Sequence, residues 1–407
     1  MSIKKLLQKN PTIKKGIKWF YIKLGSILGY FSAKVNLSPG VSLSRYFTEN
    51  DLFYGYYDLN PVHNNRLLAH EMKDDSVQLL TFDLETGEFE EIAKTTAWNF
   101  QQGARLGWRE NARNQVYFNT FSSNSIQTNL VDLDNNQRQI FDVPLQVANK
   151  SFDTIISVNI AQINKYNPEY GYKIVTQEKD QVITPGSQDC GIIIYDMHTS
   201  RKQCLISFEM ILSHGSCEGA TPSNSEINHV TYSPDEMRLA FIHRWYLKGG
   251  KRVSRLLIYD IKTQLITTAL ANGMVSHYCW QDEISIFMYG CDQNGQDCFM
   301  TYHILKQSMT THKALSGRGD GHPSISPDRE WIVLDSYPGI SRHQDLYLYN
   351  IVTNDVKVIG SFHSPAKYSN SQRCDLHPRW IAEDQIVIDT THTGKREICL
   401  IDVSSVL

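Results

Sequence analysis

Four histidines share one local frame in this chain. His229 opens "HVTYSPDEMRLAFIH", His322 opens "HPSISPDREWIVLD", His377 opens "HPRWIAEDQIVID" and His277 opens "HYCWQDEISIFM". Each imidazole stands just ahead of a short turn and a β-run, and in the first two His-x-x-x is followed by Ser-Pro-Asp. Tyr56 in "YYDLNPVHNNRLLAH" and Arg105 in "RLGWRENARNQVYF" hold the same slot, and "VANKSFDTIISV" gives a weaker match from Val147. Imidazoles brought together in this way can ligate a divalent ion or carry protons. The competing reading is that each bonds a neighbouring backbone group, as any buried polar side chain must. Four in register favour the functional reading.

Other reactive side chains lie close to these positions. Cys374 precedes His377 by three residues, and with His322 of the preceding repeat these two make a candidate metal set of His322, Cys374 and His377. Nitrogen and sulfur donors suit zinc, and manganese is the other divalent ion considered. Cys279, Asp320 and Arg379 flank the same slots. The hairpin "FIHRWYLKGGKRVSR" is basic, and its Arg244 and Arg252 are candidates to hold a carboxylate, with the solvated face as the alternative. Tyr170 and Tyr172 cluster with Tyr166 in "NKYNPEYGYKI", where a tyrosine can stack on a sugar or transfer a proton. Gln102 and Arg105 in "AWNFQQGARLGW" suit hydroxyl and carboxylate recognition, as do Tyr56 and Arg379 in their slots. His243 and His392 fall at the ends of second strands, near a rim.

The elements that must position these groups are short apolar runs separated by tight turns: "LLTFDLETGEF", "GIIIYDMHTSRKQ", "RLLIYDIKTQLI", "DLYLYNIVTNDVKV" and "EICLIDVSS". Each reads as a strand, a turn and usually a second strand. Slot positions fall at 56, 105, 147, 229, 277, 322 and 377, spaced 42 to 55 residues apart except for one gap of 82. A repeat of about 40–50 residues with four strands is a propeller blade, so the reading is an all-β, seven-bladed β-propeller. The long gap predicts an insertion over about 160–225 on the third blade. The last repeat has only three strands, and "SLSRYFTE" near 42–49 is placed to supply the fourth and close the ring. The innermost strands then surround a channel, and the slot residues form a ring around it.

Residues 1–40 stand apart from this pattern. They carry eight lysines and no acidic residue, interleaved with Ile, Leu, Trp and Phe, and no apolar stretch reaches the ~20 residues of a spanning helix. The segment predicts a basic, helical amphipathic extension, either lying on an anionic inner-membrane face or docked on its own domain. The propeller is expected over 41–407. A net charge of -3 gives no bias toward nucleic acid, and eight scattered cysteines without a CxxC pair suggest reduced thiols in a cytoplasmic setting.

Taken together, "YYDLNP", "WNFQQGARLGW", "PEYGY", "NHVTYSPD", "SHYCW", "DGHPSISPD" and "RCDLHPRW" resemble the oligogalacturonate-lyase-like propellers over about 45–407. The closer likeness is to a bacterial branch met among surface-polysaccharide genes and often labelled "glycosyl transferase"; the ulvan lyases look like more distant relatives. The resemblance implies a divalent metal held in the channel by histidines and a glutamine, in a run Gln-x-x-His-x-His. Here "CDLHPR" keeps only the middle histidine, His377; Cys374 and Arg379 stand in the two other places. It also implies an acidic glycan as partner and β-elimination as the reaction, with His229, His277, His322, His377, Tyr170 and Tyr172 as catalytic candidates. Two other functions compete with this one. A biosynthetic partner or transferase at the cytoplasmic membrane face would use the lysine-rich extension. A non-catalytic propeller scaffold would leave the histidines in register unexplained.

Overall fold

The computed structural model describes residues 25, 33–122, 125–173 and 189–407. The basic segment up to residue 32, apart from Gly25, lies outside the described residues, and so does the membrane contact expected of it. Among the described residues no helix is long and apolar enough to cross a membrane.

Among the described residues, thirty strands form seven antiparallel sheets arranged as the blades of a β-propeller. Blade four shows the standard unit: Ser225–Tyr232, Arg238–Tyr246, Arg252–Asp260 and Ile266–Leu270 pair in that order from the channel outward. The second and third strands are covered by neighbouring blades on both faces, so they read as continuous apolar runs such as "AFI" and "LLIY". Outermost strands such as Arg138–Phe141 and Ser308–Thr311 are largely exposed and polar. Leu67, Leu79, Phe241, Ile258, Val333 and Ile388 are buried between the sheets. Truncating any of these leucines or isoleucines to alanine costs about 2–5 kcal/mol.

Ring closure follows the expectation. Ser42–Tyr46 pairs with Glu397–Asp402 and supplies the outer strand of blade seven. Val35–Leu37, which the sequence reading placed in the extension, pairs with Val356–His363 as a fifth strand on blade six. The insertion is narrower than 160–225. Cys190–Asp196 and Arg201–Ser207 belong to blade three itself, and the added material flanks them as α1 (Ile160–Tyr166) and α2 (Phe208–Ser213). The expectation of reduced thiols throughout is also corrected. Cys190 and Cys204, on adjacent strands of one hairpin, have Cα atoms 5.8 Å apart and form a disulfide. Such a bond persists in oxidising compartments.

One device repeats and positions the channel. The inner strands of blades two, three, six and seven are only two residues long: Gly107–Trp108, Val147–Ala148, Ser324–Ile325 and Arg379–Trp380. Irregular backbone leads into each, and in blades one, two, three and seven a polar side chain from the previous blade tethers this lead-in. That side chain is the fifth residue of the second strand in blades one, two, six and seven: His70, Asn119, Asp335 and Asp389. His70 Nε2 accepts from Ala104 N–H at 3.0 Å, and Asn119 exchanges bonds with Leu145. Asp335 accepts from His377 N–H at 3.1 Å, and Asp389 from the N–H groups of Tyr54 and Gly55 at 2.9 Å. The tethered backbone includes left-handed residues: Arg105, His229 and His377 have φ of 55°, 55° and 43°. A shared αL conformation in non-glycine residues is uncommon and supports their equivalence.

Candidate active site in the central channel

The structure brings the four histidines together. His277 and His322 have ring centroids 4.1 Å apart, and His322 and His377 are 4.4 Å apart. Tyr56 stands among them, stacked on His229 at 4.8 Å and edge-on to His377 at 5.0 Å. Tyr170, delivered by the insertion after α1, packs edge-on against His229 at 4.8 Å. All six side chains are buried.

Two carboxylates orient these rings: Asp320, which the sequence reading noted beside the slot, and Asp335, which it did not. His322 Nδ1 lies 2.9 and 3.0 Å from the two oxygens of Asp335, which also accepts from the His322 N–H at 2.7 Å. With its bond to His377 N–H, Asp335 therefore fixes two histidines at once. His277 Nδ1 is 2.9 Å from Asp320, which also accepts from Ser276 Oγ at 2.7 Å. Burial lowers the His277 pKa despite Asp320, while His277 and the serine hold Asp320 below the usual carboxylate range against its own burial. The pair is a neutral imidazole donating Nδ1–H to a carboxylate, leaving Nε2 as a base. Burial alone would lower His322, but Asp335, Asp375 and Asp320 outweigh it and raise its pKa. Burial shifts the neighbouring His229 and His377 the other way, well below the ordinary imidazole value.

The candidate metal set changes by one residue. His322, Asp375 and His377 each present a ligand atom, all within 4.8 Å of one another. His322 Nε2, His377 Nε2 and Asp375 Oδ1 are buried and have no hydrogen-bond partner among the described residues. His377 Nδ1 is taken by the Gly55 carbonyl at 2.8 Å, so its Nε2 is the free nitrogen. Three converging donors that lack partners fit a divalent ion. Cys374 is corrected out of the set. Its thiol sits 3.9 Å from the Asp375 carbonyl, and burial pushes it up to about 12. Asp375, the next residue, is the one whose side chain reaches the histidines, its Oδ2 lying 3.9 Å from His377 Nε2.

The substrate-binding candidates divide. Arg105 makes a buried, two-pronged ion pair with Asp58 at 3.0 and 2.9 Å. Arg379 donates Nε–H to the Tyr56 carbonyl at 2.9 Å, also bonds the Gly55 carbonyl, and lies over Tyr54. Both guanidiniums hold the wall, which corrects their assignment to substrate. Tyr172 is likewise structural, its hydroxyl accepting from Asn119 Nδ2 at 2.8 Å. Arg252 is exposed at the start of its strand. Arg255 of the same hairpin turns inward to the carbonyls of His214 and Ile211. Arg244 is different: it is buried, 3.6 Å from Glu226, and its Nε and Nη1 lack hydrogen-bond partners among the described residues. Gln102 is buried with an unpartnered Nε2.

Arg373 completes the channel mouth and was not singled out in the sequence. It donates to Asp375 at 2.7 Å, pairs with Glu169 and lies 3.5 Å from the Tyr170 hydroxyl. It thereby joins the insertion to the loop that carries Asp375 and His377. Tyr337, 37% exposed, rims the opening 5.8 Å from His322.

No protein-family model and no curated protein matches the chain. Among solved structures, an oligogalacturonate lyase in complex with manganese superposes with a TM-score of 0.63 at 13% identity, covering 91% of this chain and 98% of that one. An oligogalacturonate lyase from Vibrio parahaemolyticus gives 0.61 at 12%, covering 91% and 97%. What is shared is the fold. The label "glycosyl transferase" finds no support in these likenesses.

Proposed function

We propose that the chain is a carbohydrate-active enzyme that cleaves an acidic glycan by β-elimination at the channel mouth. The observation that carries this reading is the convergence of His322, Asp375 and His377, with unpartnered ligand atoms, beside the His277–Asp320 pair. The same fold in an oligogalacturonate lyase that holds manganese supports it.

His322, Asp375 and His377 would hold the divalent ion, with Asp335 and Arg373 orienting them from outside. When bound, the ion supplies positive charge that offsets the uronate carboxylate and acidifies the adjacent C5–H. His277 is placed to take that proton on Nε2, because Asp320 fixes its Nδ1–H. The C5–H electron pair forms the C4=C5 double bond as the C4–O bond breaks, and the leaving oxygen acquires a proton. Tyr170 can deliver it. Burial raises its pKa, which keeps the hydroxyl protonated, while Arg373 and Arg244 oppose that shift. Arg244, with free N–H groups, is suited to a second carboxylate of the polymer.

The test is direct. Folded, manganese-loaded protein incubated with a panel of uronate-containing oligosaccharides should generate the ultraviolet absorbance of an unsaturated uronate. No rise across the panel contradicts the reading.

A further inference from the structure

A second cluster of ligand-type side chains lies on blade seven, away from the channel. His392 follows the second strand Gln385–Thr390, while Glu397 and Cys399 lie on the third, Glu397–Asp402. One ligand atom from each lies within 4.8 Å of the others, and all three residues are buried. His392 Nε2 is 3.3 Å from Glu397 Oε1, and Cys399 Sγ is 4.0 Å from the same oxygen. A tetrahedral ion with zinc-like bond lengths places such donor pairs about 3.3 Å and about 3.6 Å apart. The spacing is close to that of a coordination sphere.

The surroundings match as well. Arg45 donates to both oxygens of Glu397, through Nε at 3.1 Å and Nη2 at 2.6 Å. A ligating carboxylate is commonly oriented by such an outer partner, and its remaining lone pairs stay available. The second nitrogen of His392 is engaged in the same way, Nδ1 lying 3.1 Å from Thr390 Oγ1. A cleft of about 850 Å³ lined by Arg45, Phe47, Thr393, Lys395 and Glu397 offers a route in. Arg45 belongs to the closing strand Ser42–Tyr46, and its Cα partner across the ladder is Cys399.

We propose that His392, Glu397 and Cys399 form a second metal site, for a borderline dication such as zinc, that braces the closure of the ring. Nitrogen, oxygen and sulfur donors in one set suit that class of ion rather than magnesium or calcium. Binding converts the Cys399 thiol to a metal-bound thiolate and releases its proton to solvent. The ion then ties the second and third strands of blade seven to each other and, through Glu397 and Arg45, to the strand that closes the propeller.

Cobalt(II) distinguishes this site from the channel, because only this set contains sulfur. Titrating metal-free full-length protein with cobalt should give a near-ultraviolet thiolate-to-cobalt charge-transfer band. The band should disappear in Cys399→Ser, weaken in His392→Gln and persist in His377→Ala. With the channel set disabled by His377→Ala, zinc should still raise the melting temperature, and adding Cys399→Ser to that variant should remove the rise. Absence of the band in the parent protein, whatever the variants do, overturns the proposal: the imidazole then simply donates to Glu397. A band that survives Cys399→Ser overturns it too, since another thiol would be the ligand.

Discussion

Two arcs of the channel wall use charged and aromatic side chains in equivalent slots, to opposite effect. On the arc formed by blades one, two and seven, Arg105 is matched by Asp58 and Arg379 by the carbonyls of Gly55 and Tyr56. On the arc formed by blades four, six and seven, His229, His322 and His377 end in ring nitrogens without partners. Buried polar groups are almost always satisfied within a protein. The guanidiniums of the first arc are each anchored by two hydrogen bonds, although Arg105 Nε and Arg379 Nη1 stay unpartnered, whereas each imidazole of the second arc keeps a ring nitrogen that no described residue meets. Slot position alone does not separate structure from function; what does is whether the side chain's reactive end is held by a protein group.

The largest effects should come from damaging the anchored arc. Arg105→Met strands the Asp58 carboxylate in the wall, and chemical denaturation should show a loss of about 3–5 kcal/mol. Manganese affinity, measured on the folded fraction, should be unchanged. His70, which tethers Ala104 beside Arg105, gives this arc a pH signature. Burial lowers its pKa from 6.5 to about 3. Between those values the unfolded chain binds the proton and the folded chain does not, so stability is full above pH 6.5 and falls as pH drops toward 3. His70→Asn should flatten that slope in acid melts, by an amount on the order of a few kcal/mol across the window.

Changes on the other arc should spare stability and alter binding. Asp335→Asn keeps the shape but weakens the bonds that orient His322 and His377, so manganese affinity should fall about 10–100-fold by calorimetry. The smallest effect contrasts two neighbouring tyrosines. Tyr172→Phe removes one hydrogen bond to Asn119 and should cost about 1 kcal/mol of stability with turnover intact. Tyr170→Phe should leave stability within that range and lower the rate of double-bond formation.

Much of this was legible in the chain. The spacing of His229, His277, His322 and His377 encodes the blades, and the three-stranded last repeat encodes the closing strand, because both are local patterns of turn and apolar run. Of the carboxylates, Asp320 was read beside its slot, while Asp335 and Asp389 were not. Asp335 and Asp389 look like ordinary ends of strands in "IVLD" and "IVID", and their roles depend on the backbone of the following blade. The signal existed in the recurrence of a polar fifth residue, shared by "LLAH" and "VYFN". The choice of Cys374 over Asp375 failed for a different reason. Donor chemistry favoured the thiol, but the irregular backbone of the lead-in decides which residue faces the histidines, and sequence spacing does not encode it. Arg373 was unreadable because its partners Glu169 and Tyr170 lie about 200 residues away, on the insertion.

The central claim is that His322, Asp375 and His377 hold a divalent ion at the channel mouth. Calorimetric titration of manganese into metal-free protein, with Asp375→Asn and Cys374→Ser in parallel, tests it. The account predicts saturable binding in the parent, retained in Cys374→Ser and weakened more than about a hundredfold in Asp375→Asn. Equal binding in the parent and Asp375→Asn, or no binding in the parent, would contradict it.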